Sequence, residues 1–272
     1  MQKARESDAA ESVEQFTSAS KLIIQDLPGA EISDDAGLSF RWADHIFPFW
    51  NAVFLSEPAE DAILLRQRLR TAAAYMRKKR RPGLLWLFDE HLGKSAREKL
   101  PEILGEEMLE LALPATGMAG EFFPLQTPGH PVLRITRVVD ESMLRDYVQI
   151  NCHAYGMPLE YGHGALDPAF WIEKSYSYLG YENGKAVAAA SAFVNEGCLF
   201  LALVATRPEA QKKGYAEAVV RFALQSAHEA TGLKRTILHA TDAGHPVYRR
   251  IGYYDTARIM AYRLSNLRED CT

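Results

Sequence analysis

The stretch from Thr206 to Ala216, Thr-Arg-Pro-Glu-Ala-Gln-Lys-Lys-Gly-Tyr-Ala, is the part of this sequence with the clearest chemical use. It joins an apolar run ending at Ala205 to a helical pattern that begins near Gly214. Where a loop enters a helix, the first backbone N–H groups have no intrahelical partner and the dipole adds partial positive charge. A phosphate binds there without needing a basic side chain. Gly214 and Ala216 are small enough to let a pyrophosphate come close to those amides, and Lys212 and Lys213 could add charge for further phosphates. From spacing alone the stretch is equally a solvated Gln-Lys-Lys loop before an ordinary core helix, because a short glycine loop ahead of a helix is a weak pattern. Two nucleotide sites are discounted. No P-loop pattern occurs, and Gly162-His163-Gly164 has Asp167 where a dinucleotide fingerprint needs its third glycine.

Other reactive residues are scattered. Cys152-His153 with His163 lacks a second Cys-x-x-Cys or His-x-x-x-His pair, so no metal site is expected. The basic run Arg77-Lys78-Lys79-Arg80-Arg81 is explained mainly as a solvated helix C-terminus that complements its dipole, with an acidic partner or nucleic acid as the lesser reading.

Elements that would position the loop follow from periodicity. A strand is expected over Val132–Val138, then a helix over Ser142–Tyr155 with Met143, Tyr147, Ile150 and Ala154 on one face, and a helical segment over 168–175. Three β-rich runs come next, Tyr176–Tyr181, Ala186–Val194 and Cys198–Ala205, separated by Asn183-Gly184 and Asn195-Glu196-Gly197. Asn-Gly tolerates the positive φ of a tight hairpin turn, so the three runs should form an antiparallel meander. After Gly214 a helix is expected to about Ala230, ended by Gly232, with Ala216, Val219, Val220, Ala223, Leu224 and Ala227 on its inner face. A strand over Arg235–Ala240, a short helix over His245–Arg250 stopped by Gly252, and a strand over Asp255–Leu264 complete the second half.

The first half shows a similar order. A helix over Ala59–Lys79, an apolar strand Leu84–Phe88, a helix opened by a capping box of Ser95 and Glu98 and ended by Gly105, and a strand Met108–Leu113 suggest a divergent repeat. Trp42, Phe47, Phe49, Trp50 and Phe54 are expected in its core. Residues 1–20 are polar and small, with nothing in the sequence to anchor them. A proline-rich stretch near residue 128 marks the boundary, giving a leader over 1–20, a first domain over 21–128 and a second over 129–272.

Composition sets the remaining limits. The 272 residues carry 31 basic and 35 acidic side chains, a net charge of −4, so no overall field favours nucleic acid. Three cysteines without a paired spacing fit free thiols, and neither a signal peptide nor a membrane span is read, so a cytoplasmic location is expected.

The run from Val204 to Ala216 resembles the acyl-coenzyme A signature of the GNAT N-acetyltransferase superfamily, which reads Gln/Arg-x-x-Gly-x-Gly/Ala after a strand. Val247-Tyr248-Arg249-Arg250-Ile251-Gly252-Tyr253 is similar to that family's Phe-Tyr-x-x-x-Gly-Phe segment, and the resemblance covers residues 131 to 265. It implies an α/β (α+β) fold with a mixed, mostly antiparallel sheet flanked by helices, in tandem with a degenerate N-terminal half. It also implies transfer of an acetyl group from acetyl-coenzyme A to a primary amine by direct attack in a ternary complex. Backbone atoms of Val204, Ala205 and Thr206 would pair with the pantetheine arm, and the amides of Gln211, Lys212, Lys213, Gly214, Tyr215 and Ala216 would hold the pyrophosphate. Tyr248 would be the acid that protonates the leaving thiolate. Glu173, Glu196 and His239 are left open as bases.

Thr241 stands where the family commonly has asparagine, and Gly244 where alanine is common, so a side-chain contact from that asparagine is not expected. The first half lacks the loop and should bind no acyl donor. The acceptor is a small-molecule or peptide amine, with a homodimer left open. The alternative is a non-catalytic acyl-coenzyme A sensor that recruits a partner.

Overall fold

The computed structural model describes residues 6–121 and 130–265, which fall into two compact units. The expected cut near residue 128 lies outside the described residues. The units divide after Gly117, within the strand Leu109–Glu121, and of the later described residues Ala240–Ala243 and Asp255–Ser265 are grouped with the first unit.

The first unit starts with α1 (Glu6–Ile24), a hairpin of β1 (Glu31–Asp35) and β2 (Leu38–Trp42), and β3 (Asn51–Leu55). Helix α2 (Ala62–Arg77), β4 (Leu84–Phe88), α3 (Lys94–Glu106) and β5 (Leu109–Glu121) follow. β1, β2 and β3 pair antiparallel, and β3 and β4 pair parallel across α2. The segment read as an unanchored leader is a helix with a packed face. Val13, Ala19, Ile23 and Ile24 are buried, Phe16 packs edge-on against Phe54 and Trp86, and Arg41 donates to the Thr17 carbonyl. The expected aromatic core is present, with Trp42, Phe47, Trp50 and Phe54 buried. The capping box is not: α3 starts after Gly93, without a side-chain cap, and Ser95 and Glu98 lie inside the helix.

The second unit holds β6 (Arg134–Arg137), α4 (Glu141–Tyr155), α5 (Pro168–Trp171), β7 (Ser175–Glu182), β8 (Lys185–Asn195) and β9 (Cys198–Thr206). It continues with α6 (Tyr215–Thr231), β10 (Arg235–Ala240) and α7 (His245–Ile251). β6 to β9 form an antiparallel meander, and β10 lies parallel to β9 across α6. Asn183 and Gly184 both take positive φ, 51° and 81°, as a tight hairpin turn requires. The inner face expected for α6 is buried except for Ala216, which is half-buried. The face of α4 is rotated from the expected one, with Leu144, Tyr147, Val148 and Asn151 inward and Met143 and Ala154 only half-buried. The last strand, β11 (Tyr254–Leu264), pairs antiparallel with β4 in the first unit.

Candidate active site

The site grows out of a mismatch between β9 and its neighbours. β9 and β10 are paired only from Leu199 to Leu201, opposite Thr236 to Leu238, yet β9 runs on to Thr206. Against β8 the register slips. Leu203 and Val204 stand opposite the single residue Ala190, and Leu203 takes a φ of 49°. This is a β-bulge with a leucine in the left-handed region, a position where a side chain is strained.

The bulge decides which backbone groups face the unpaired edge. Arg207 N–H donates to the Val187 carbonyl at 2.9 Å, so residue 207 faces β8. Alternation then turns Ala205 toward β8, and Val204 and Thr206 toward the open side. Of the three strand residues named above, Val204 and Thr206 therefore face the open side and Ala205 faces β8. The Thr206 carbonyl accepts from the Gln211 side-chain amide at 3.3 Å, and the Thr206 hydroxyl oxygen is buried without a hydrogen-bond partner.

Beyond Thr206 a single helical turn, Pro208–Ala210, leads into the loop. Lys212 and Gly214 both take positive φ, 63° and 83°, and α6 starts at Tyr215 with no side-chain cap. Two left-handed residues close before an uncapped helix leave backbone N–H groups free to turn toward one side, an arrangement that suits an anion. Gly214 permits this, because a Cβ-bearing residue is disfavoured at that φ. The lysines differ in placement. Lys213 pairs with Glu182 at 2.9 Å, and Glu182 also accepts from the Tyr215 hydroxyl, contacts that hold its carboxyl below the usual range. Lys212 is exposed. The Tyr215 ring is buried and packs edge-on against His130 at 4.9 Å, leaving its amide as the group available to a ligand.

Tyr248 sits on α7, buried, with its ring 5.9 Å from that of Tyr253. Burial first, then the neighbouring phenols of Tyr155 and Tyr253, push its pKa far above the ordinary value. Tyr147 on α4 is fully buried and feels both Tyr155 and Tyr248, so the three phenols share one neighbourhood. The Tyr147 hydroxyl donates to the Leu203 carbonyl at 3.1 Å, which sets this neighbourhood beside the bulge.

The three base candidates separate. Glu196 lies in the turn between β8 and β9, at the end of β9 far from the loop, and Glu173 is exposed after α5. Pairing of Leu238 with Leu201 sets His239 next to the start of the splayed segment, its ring 5.5 Å from Phe200. Tyr147 reads as one more core position, and no local pattern marks a leucine with positive φ.

Residues 144–253 match the acetyltransferase (GNAT) family model. Among solved structures, the chain is similar to a GCN5-related N-acetyltransferase from Kribbella flavida, at 19% identity over 94% of this chain and 95% of that one, with a TM-score of 0.68. A functionally unknown conserved protein from Staphylococcus epidermidis aligns at 13% identity over 92% and 100%, with a TM-score of 0.62. A tandem GNAT protein from the clavulanic acid biosynthesis pathway aligns at 8% identity over 95% and 94%, with a TM-score of 0.56. Among curated proteins, none matches this sequence. At these identities the structural likeness concerns the fold, a mixed sheet flanked by helices.

Proposed function

We propose, from the premise that residues 144–253 form a domain of the GNAT acetyltransferase family, that the protein transfers the acetyl group of acetyl-coenzyme A to a primary amine by direct attack. The observation that carries this reading is the uncapped start of α6 beside the open edge of β9, with the buried, unpartnered Thr206 hydroxyl between them. A buried polar atom without a partner is rare in a native structure and calls for one. An acyl-coenzyme A supplies what these groups need: phosphates for the amides of Lys212 through Ala216, the Gln211 amide expected with them being taken by the Pro208 carbonyl, and an amide-bearing arm for Val204 and Thr206.

When an amine attacks the thioester, a proton must leave the amine, an oxyanion develops and a thiolate departs. His239 is the group best placed to take the proton from the amine. Tyr248 donates a hydrogen bond to the departing sulfur. A free thiol has a pKa near ~8.5 and tyrosine near ~10, so giving the proton away fully is already uphill in water. Burial of Tyr248 makes transfer harder still, and its contribution is then mainly the hydrogen bond itself.

Titration with acetyl-coenzyme A, followed by thermal melting and calorimetry, tests the reading. A Kd of ~10 μM predicts stabilisation of roughly 3 kcal/mol at about a millimolar ligand. Amine-dependent thiol release should accompany it. If both stabilisation and heat of binding are absent at that concentration, the proposal is overturned.

A further inference from the structure

The Tyr147 hydroxyl and the Leu203 carbonyl are 56 residues apart in sequence and meet at 3.1 Å, on the residue of β9 that carries the bulge. A leucine at a φ of 49° does not stay there by its own preference, so the surroundings must hold it. The phenol is suited to do so. Tyr147 is fully buried, its pKa is raised well above the ordinary value by desolvation, and it therefore remains a donor throughout the working range. Its own backbone is tied down in turn, since the buried Asn151 donates from Nδ2 to the Tyr147 carbonyl at 3.1 Å.

The consequence follows from the peptide plane. In a trans peptide the C=O of one residue and the N–H of the next point in opposite directions. Among the described residues no peptide bond is cis. Fixing the Leu203 oxygen therefore fixes the Val204 N–H, which points away from the Tyr147 hydroxyl and toward the open side of β9. We propose that Tyr147 is a positioning residue of the acyl site: by holding the Leu203 carbonyl, it aims the Val204 amide at the thioester carbonyl oxygen of the acyl donor. The inference rests on the acyl-transfer reading above and adds to it the group that orients the donor. No bond is made or broken by Tyr147. It keeps its proton, and the Val204 N–H hydrogen-bonds to an oxygen whose negative charge grows as the amine attacks, which is where a preoriented donor has its effect.

The test compares wild type with Tyr147→Phe, using acetyl-coenzyme A labelled at the carbonyl and observed by carbon NMR. In the wild type the bound carbonyl resonance should move downfield from its free position. In the variant most of that displacement should disappear, while the Kd for coenzyme A stays within about threefold and kcat falls by about tenfold. A loss of packing alone would weaken binding and leave the carbonyl of the bound fraction where it was. Equal displacement in both proteins overturns the role of Tyr147 and leaves the acyl-transfer reading standing. Absence of acetyl-coenzyme A binding by the wild type overturns both. Should the variant not fold, the wild type decides through the Val204 amide proton. It must shift on acetyl-coenzyme A and not on coenzyme A, and the same shift with both ligands overturns the proposal.

Discussion

Each unit contains a strand that turns into a helix after an antiparallel meander, and the two junctions have opposite chemistry. At the junction of β9 and α6, the helix starts uncapped behind Gly214. At the junction of β3 and α2, the Asp61 carboxylate accepts from the amides of Ile63 and Leu64, both at 2.9 Å, so the first-turn donors are already used and the charge there is negative. The loop edge is used as well. Ala59 N–H donates to the His91 carbonyl at 2.7 Å and the Ala59 carbonyl accepts from Gly93 N–H at 2.9 Å, a pairing that takes the place an extended ligand would need. Glycine at 93 is required for that approach, because a Cβ there would lie 2.0 Å from the Glu60 carbonyl oxygen. Two further carbonyls of the loop, those of Glu57 and Pro58, accept from the buried Arg68 guanidinium. The same order of elements thus ends in an uncapped helix start in one unit and in a loop whose amides and carbonyls are largely paired in the other. The two differ in the cap residue and in the use of the strand edge.

The comparison is broken most directly by moving the cap. Gly214→Asp would place a carboxylate at the start of α6, where Asp61 sits on α2. The expected result is a loss of acetyl-coenzyme A affinity of about 100-fold, or ~2.7 kcal/mol, by calorimetry. An unchanged Kd would mean that the α6 amides do not hold the phosphates.

A smaller effect separates chemistry from binding within the second unit. Tyr248→Phe should lower kcat by ~10-fold to ~100-fold while the Kd for coenzyme A stays within about twofold. Because burial raises the Tyr248 pKa, the phenol is neutral and a donor below it, and ionisation removes the donor only above it. The wild-type kcat profile should therefore show no downward limb from this group up to about pH 10. A limb near pH 8 that vanishes in the Phe variant would show that the phenol ionises in the working range and give it a different role.

The smallest effect is expected in the first unit. Asp61→Ala removes the cap of α2 and should reduce stability to urea by ~1 kcal/mol, with acetyl-coenzyme A binding unaltered. A measurable change in binding would mean that the first unit takes part in the donor site.

Where rules act over a few residues, sequence and structure agree closely. The bounds of β4 and β10 are those expected, Gly232 ends α6 in the left-handed conformation, and Asn183-Gly184 makes its turn. The succession of β9, Gly214 and α6 was legible for the same reason, since strand, glycine and helix lie within a dozen residues. The capping box misled because a long-range contact intervened. Gly93 is held by Ala59, so α3 starts directly after it and passes over Ser95.

The amino-acid sequence by itself determined the local pieces: the meander, the helix behind Gly214, the two segments that resemble the acetyltransferases and the absence of a matching loop in the first half. Only the tertiary structure decided how those pieces are used. It grouped the end of the chain with the first unit, turned Val204 and Thr206 outward and Ala205 inward, set His239 rather than Glu196 beside the splayed strand, and brought Tyr147 onto the Leu203 carbonyl. Periodicity and turn preference are set by neighbours in the chain. Register, strand partners and a strained φ are set by contacts between residues tens of positions apart, whose energies appear only once the sheet has formed.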